Sequence, residues 1–119
     1  MEPKISVIMG IYNGAETMDA AISSICDQTF PDWEFIICDD CSSDATVKKV
    51  KEWCSKDRRI KLIQNPCNRG LAASLNHCLE YAKGAYIARM DDDDFSYPER
   101  FDKQLSFLER HEEFAFVSS

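Results

Sequence analysis

The run Ile5-Ser6-Val7-Ile8-Met9-Gly10-Ile11-Tyr12 carries apolar side chains on both of its alternating faces. Successive side chains of a strand point to opposite sides, so a strand of this kind is buried in a sheet that is covered on both faces. Strand-like and helix-like stretches then alternate with short punctuation, the pattern of a parallel sheet layered with helices. Asn13-Gly14-Ala15-Glu16 is expected to start a helix, with Asn13 as N-cap, Glu16 as its reciprocal partner and a buried stripe of Met18, Ala21, Ile22 and Ile25. Trp33 to Cys38 reads as a second strand, and a helix with Val47, Val50 and Cys54 on one face follows Ser42-Ser43. Ile60 to Ile63 is a short strand, and Asn65 to Gly70 a loop. A third helix carries Leu71, Leu75, Cys78, Leu79 and Ala82 and is expected to stop at Gly84 as its C′ residue. Tyr86 to Met90 is the fourth strand. Ser96-Tyr97-Pro98-Glu99 reads as a capping box before a helix with Phe101, Leu105 and Leu108, and Phe114 to Val117 as a further strand.

With 119 residues the chain is expected to form one domain, and 45% hydrophobic residues argue against disorder. Fourteen basic and 21 acidic side chains give a net charge of −7, which excludes a nucleic-acid partner on electrostatic grounds. No stretch approaches the roughly 20 apolar residues of a membrane span, and Met1-Glu2-Pro3-Lys4 leads into a strand pattern instead of a signal peptide. Six cysteines are present. Cys26, Cys54 and Cys78 fall on the apolar sides of helices, the behaviour of free thiols in a reducing, cytoplasmic compartment. Cys38-Asp39-Asp40-Cys41 has C-x-x-C spacing but no second pair, and its carboxylates oppose a reactive thiol.

Asp91-Asp92-Asp93-Asp94 is the most chemically pointed feature. Four adjacent carboxylates repel one another, and a hard divalent cation is the natural counter-charge; the alternative is a solvated acidic turn. Strand-like alternation would aim Asp91 and Asp93 one way and Asp92 and Asp94 the other. Ligands of open α/β sheets bind beyond the carboxyl ends of the strands. Tyr12-Asn13, Asp39-Asp40 and the acidic run each follow a strand, so they are expected on one rim. Asn68-Arg69 joins them if its loop returns there. Tyr12 offers an aromatic face to a base, Asp39 or Asp40 acceptors for a ribose or base, and Arg69 a charge for a diphosphate. Taken singly, each has an ordinary structural reading: a strand-end aromatic, carboxylates at a helix start, a solvated cation.

Several ordered motifs resemble the family 2 glycosyltransferases of GT-A fold. They are Ser6 to Asn13, Ser24-Ile25-Cys26-Asp27-Gln28-Thr29-Phe30, Ile37 to Asp44, Asn68-Arg69-Gly70-Leu71 with Asn76, Gly84 to Asp94, and Pro98-Glu99-Arg100. The resemblance implies a Rossmann-like, mostly parallel nucleotide-diphospho-sugar-binding fold with helices on both faces. It further implies an inverting transferase moving a sugar from a nucleotide donor, UDP above others, to an acceptor hydroxyl in cell-surface polysaccharide or glycolipid synthesis. Under it, Asp91 and Asp93 match the D-x-D motif that holds Mn²⁺ or Mg²⁺, with Asp93 the main contact and Asp92 between them. Asp40 with Asp39 matches the nucleoside carboxylate, and Ile11, Tyr12 and Asn13 the base-binding turn. Arg69 matches loosely. Cys41 replaces the small or amide residue usual after the aspartate pair, and Asp92 fills a position that is often small.

The family's catalytic base has no counterpart in residues 1–119 and is expected beyond Ser119. The chain is accordingly expected to be the N-terminal donor-binding part of a longer enzyme, with the acceptor-side part absent and an exposed surface prone to self-association. Its partners would be a nucleotide-sugar and a saccharide or lipid-linked acceptor. Membrane association, peripheral and at the inner face, would come only through the missing part. A sugar-1-phosphate nucleotidyltransferase would share the architecture but needs a Gly-rich loop after the first strand, which Ile11-Tyr12-Asn13-Gly14-Ala15 lacks. A dinucleotide-dependent dehydrogenase lacks its G-x-G-x-x-G here. A phosphate-accepting signalling domain would place its acidic pair after the first strand. A non-catalytic nucleotide-sugar-binding module is the remaining alternative.

Overall fold

The computed structural model describes residues 2–110 and 116–118. In chain order the elements are β1 (Ile5–Ile11), α1 (Met18–Cys26), β2 (Trp33–Asp39), α2 (Thr46–Lys56), β3 (Ile60–Gln64), α3 (Leu71–Leu79), β4 (Tyr86–Arg89), α4 (Arg100–Arg110) and β5 (Phe116–Ser118). The strands form a single sheet of order β3-β2-β1-β4-β5, and each neighbouring pair runs parallel. The expected beginning of the last strand at Phe114-Ala115 and the packing of Leu108 lie outside what is described.

β1 is central and every one of its residues is buried, as its two-sided apolar pattern requires. Its odd positions Ile5, Val7, Met9 and Ile11 join Met18, Ala21, Ile22 and Ile25 of α1, Val50 of α2 and Phe101 of α4 in the larger core layer. Its other face contributes Ile8 to a smaller layer closed by Cys78 and Leu75 of α3. The stripe expected on α3 is only partly buried: Ser74 and Cys78 turn inward, while Leu71 and Leu79 are 47% and 42% exposed. All six cysteines are free thiols.

At the amino ends of the strands a polar cluster replaces apolar packing. Ser6 Oγ donates to Glu34 Oε2 (2.6 Å), Lys61 pairs with Glu34 Oε1 (2.9 Å), and the Lys83 N–H donates to Glu34 Oε2 (2.7 Å). Burial pushes the Glu34 carboxyl up, but these donors favour its charged form and hold it below the ordinary range. Gly84 belongs to this cluster and not to a helix cap. Its N–H donates to Ser6 Oγ (2.7 Å), and a Cβ there would stand 2.6 Å from the Ser6 nitrogen. α3 has already ended at Leu79, five residues earlier.

Two further helix starts differ from expectation. α1 begins at Met18, after a turn in which the Thr17 and Met18 N–H groups donate to Gly14 O. Asn13 instead sits in the left-handed region (φ 50°), where an Asn tolerates a turn and cannot cap that helix. α4 begins at Arg100, so Ser96 and Glu99 form no capping box; the Ser96 N–H donates to Ser24 Oγ on α1 (3.1 Å).

Gly84→Ala is expected to destabilise the fold by about 1–3 kcal/mol, the range for forcing an atom into filled space. Urea unfolding reads this directly. An unchanged midpoint would show that the β1 backbone yields at no cost.

Candidate functional site

From β1 the sheet grows in both directions, β2 on one side and β4 on the other. A crevice opens where the order reverses, beyond the carboxyl ends of β1 and β4. The last β1–β4 pair is Ile8 with Arg89, and the Met90 N–H still donates to Ile8 O (3.0 Å), while β1 continues to Ile11. The acidic run therefore leaves β4 alongside the final turn of β1. A pocket of about 210 Å³ lies there, lined by Gly10, Ile11 and Tyr12 from β1 and its loop, Asp40 after β2, Leu71 and Ser74 of α3, and Asp92. Tyr12 is 52% exposed, so its ring is open to a partner.

Asp40 joins the third loop to this rim. Its Oδ1 accepts from the Arg69 N–H and from Asn65 Nδ2 (2.8 Å each), and its Oδ2 accepts from the Gly70 N–H (2.8 Å). Burial pushes the Asp40 carboxyl up, and these donors outweigh it and hold it below the ordinary carboxylate range. The Asn68-Arg69 loop thus returns to the rim, held there through backbone N–H groups and not through the Arg69 guanidinium, which does not line the pocket. Asn65 is itself oriented from behind. Its Nδ2 also donates to Ser74 Oγ (3.0 Å) and its Oδ1 accepts from His77 Nδ1 (2.8 Å), which fixes the proton on that ring nitrogen. Cys38 donates to the same Oδ1 (3.5 Å). A hydrogen bond with Cys78 holds the Cys38 thiol below its ordinary value, so the neighbouring carboxylates do not dominate its titration.

Asp39 and Asn13 stand beside the pocket without lining it. Asp39 Oδ2 accepts the Ser42 N–H (3.1 Å), whereas Oδ1 is buried with no hydrogen-bond partner among the described residues. Asn13 latches two loops together: its N–H donates to Ser42 Oγ (2.9 Å) and its Oδ1 accepts the Ser43 N–H (2.8 Å). Gly14 and Thr46 continue the latch, the Gly14 N–H donating to Thr46 Oγ1 (3.0 Å). Cys41 occupies the left-handed region (φ 64°) between these contacts, a conformation that glycine or an amide residue adopts with less strain.

The acidic run is a turn and not an extended continuation of β4. The Asp94 N–H donates to Asp91 O and the Asp91 N–H to Asp94 Oδ2 (3.1 Å each). The expected alternation of side chains therefore fails. Asp91, Asp93 and Asp94 bring one oxygen each within 4.8 Å of one another, while Asp92 turns into the pocket. Its carboxylate lies against Gly14, where an added Cβ would collide with Asp92 Oδ2. Burial and then the neighbouring Asp93 charge push the Asp92 carboxyl up. The three converging groups are all hard oxygen donors with no thiol or imidazole among them, which fits Mg²⁺ or Mn²⁺. Of the residues singled out from sequence, Ile11, Tyr12, Asp40 and Asp92 share the pocket, and Asp91 and Asp93 stand beside it with Asp94. Leu71, Ser74 and the Asn65–His77 pair were given no individual role at the site, and Asp94 was named only as part of the acidic run. Only the acidic run and the helical spacing of α3 carried a trace of them.

Because Asp40 holds charged hydrogen bonds, Asp40→Asn is expected to destabilise the protein at pH 7 by roughly 1–3 kcal/mol. A carboxyl lowered on folding contributes stability that is present above its unfolded pKa, about 3.9, and lost as pH falls through the folded value. The gap between wild type and variant should therefore shrink below about pH 4. Denaturant melts at pH 7 and at low pH test this, and a gap independent of pH would refute it.

The "Glycosyl transferase family 2" model matches residues 6–119. A Bacillus subtilis (strain 168) protein named "Putative glycosyltransferase EpsE" is 52% identical over 118 residues, 98% of this chain and 42% of its own length. The Escherichia coli UDP-Glc:alpha-D-GlcNAc-diphosphoundecaprenol beta-1,3-glucosyltransferase WfgD is 42% identical over 87% of this chain and 40% of its own length. This chain thus spans about two fifths of either relative. Among solved structures, S. aureus TarS 1-349 in complex with UDP-GlcNAc superposes with a TM-score of 0.86 at 29% identity, over 92% of this chain and 32% of that one. The mannosyltransferase PcManGT from Pyrobaculum calidifontis, in complex with GDP-Man and Mn2+, gives 0.80 at 26% identity, over 91% and 33%. The α/β fold is thus the GT-A fold of these enzymes, and the chain belongs to glycosyl transferase family 2.

Proposed function

We propose that this rim binds the nucleotide-diphosphate part of a sugar donor, UDP-linked above others, and that residues 1–119 are the donor-binding part of a transferase that moves the sugar to an acceptor hydroxyl. One observation carries the reading: Tyr12, Asp40 and Asp92 share the pocket at the β1/β4 crevice, with the Asp91, Asp93 and Asp94 oxygens gathered beside it. The UDP-GlcNAc complex of TarS and the GDP-Man and Mn2+ complex of PcManGT support it by likeness. In this reading Tyr12 presents its ring to the base, backed by Ile11, and Asn13 keeps the turn in place. Asp40, with Asp39 beside it, accepts from the nucleoside and also fixes the Arg69-Gly70 backbone. Arg69 offsets diphosphate charge. Asp93 and Asp91 are the principal holders of Mn²⁺ or Mg²⁺, and Asp94 is a third donor at the same place.

When bound, the metal offsets the charge of the departing nucleotide diphosphate. The chain's own residues bind and orient the donor around it, leaving the anomeric carbon to be approached from the opposite face. The base that deprotonates the acceptor is assigned to sequence beyond Ser119. The E. coli relative's name supports a lipid-linked saccharide as acceptor. No helix among the described residues is long and apolar enough to cross a membrane.

Calorimetric titration of UDP with and without Mn²⁺ tests the assignment. Mn²⁺ is expected to tighten UDP binding in the wild type, and Asp93→Ala to remove most of that gain, by about tenfold or more. An equal gain in both proteins would overturn the assignment.

A further inference from the structure

The acidic turn is held from both sides. Upstream, the Met90 N–H donates to Ile8 O, so β1 fixes where the run begins. Downstream, the chain is held by the end of α1 and the residues just beyond it, about seventy residues earlier in sequence. Gln28 is 7% exposed and uses both ends of its amide. Its Nε2 donates to Tyr97 O (2.8 Å) and to Ser24 O (3.2 Å), and its Oε1 accepts the Phe101 N–H (3.0 Å), a free donor of the first turn of α4. One side chain thus grips the segment on both sides of Pro98. Ser24 and Thr29 act alongside it: Ser24 Oγ accepts the Ser96 N–H, and the Thr29 N–H donates to Pro98 O (2.8 Å). Arg100, placed by this grip, spans the base of the turn, donating from Nη1 to Ser96 Oγ (2.9 Å) and from Nη2 to Arg89 O (3.2 Å).

Like charges crowded into a short turn spread apart unless its ends are fixed. We propose that Gln28 is a positioning residue for metal binding: it anchors the downstream end of the acidic turn so that Asp91, Asp93 and Asp94 converge. The inference rests on reading that cluster as the metal-holding part of the donor site. Gln28 touches neither metal nor nucleotide and acts through the Tyr97–Phe101 backbone. A side chain serving only to join α1 to α4 would alter stability and leave metal-dependent binding alone.

The test compares the gain in UDP affinity on adding Mn²⁺ for wild type, Gln28→Ala, Ser24→Ala and a control, Val50→Ala, which empties core space under α2 and removes none of the hydrogen bonds that hold the turn. Gln28→Ala is expected to cut the Mn²⁺ gain about tenfold, the lower range for losing a group that orients metal ligands. UDP affinity in EDTA should stay at the wild-type value, because the Tyr12–Asp40 side of the pocket is not held by this clamp. Ser24→Ala should move in the same direction by less, and it carries the test if Gln28→Ala folds poorly. Val50→Ala should lower the unfolding midpoint and keep the full gain. A wild-type gain retained by whichever of the two clamp variants folds would overturn the inference while leaving the donor site standing. A wild type with no Mn²⁺ gain would overturn the reading of the cluster and the inference with it.

Discussion

The structure depends on burying β1 on both faces while it is hydrogen-bonded along both edges. A strand with water on neither side has to be central, so β2 and β4 flank it and helices cover it above and below. From that arrangement the reversal of strand order at β1 follows, and with it the crevice at its carboxyl end. The short β4 matters as much as the long β1. By ending opposite Ile8 it releases the acidic run beside a strand that is still going, within reach of Gly14 and Tyr12.

Around the crevice the loops are fixed by side chains that satisfy backbone donors. Asp40 takes two N–H groups from the 69–70 loop, Asn13 takes one from the loop after β2, and Gln28 takes one from the start of α4. Buried or half-buried N–H groups without partners are costly, so the Asp40 and Gln28 bonds locate a segment as well as stabilising it, while the exposed Asn13 bond ties one loop to the next. Residues that look like binding groups in sequence are here also the framework of the site. Removing one changes both where the loop lies and what it offers a ligand.

The two carboxyls that face the pocket are driven in opposite directions. Asp40 is surrounded by donors and held low; Asp92 is surrounded by carboxylates in a partly buried place and pushed up. The first therefore carries its charge on protein-supplied hydrogen bonds. The second lies at the edge of the acidic turn, where added positive charge would lower its cost.

Local sequence determined the strands, the parallel layering and the rim. Ile5 to Tyr12 had to be a buried strand, and residues following parallel strands had to meet at one end, which placed Tyr12, Asp40 and the acidic run together. Helix starts were less legible. Asn13, Gly84 and Ser96 have the chemistry of caps, but each is taken by a partner 30 to 78 residues away in sequence, and short-range patterns carry no record of such partners. Tertiary structure alone decided the direction of the four aspartates, because their alternation held only if β4 continued. The hydrogen-bonded turn between Asp91 and Asp94 gathers three carboxylates and sends Asp92 the other way. It alone also decided that Gln28 would grip the segment beyond them, since a side chain just past the end of α1 meets residues 97–101 only once both have packed on the same sheet.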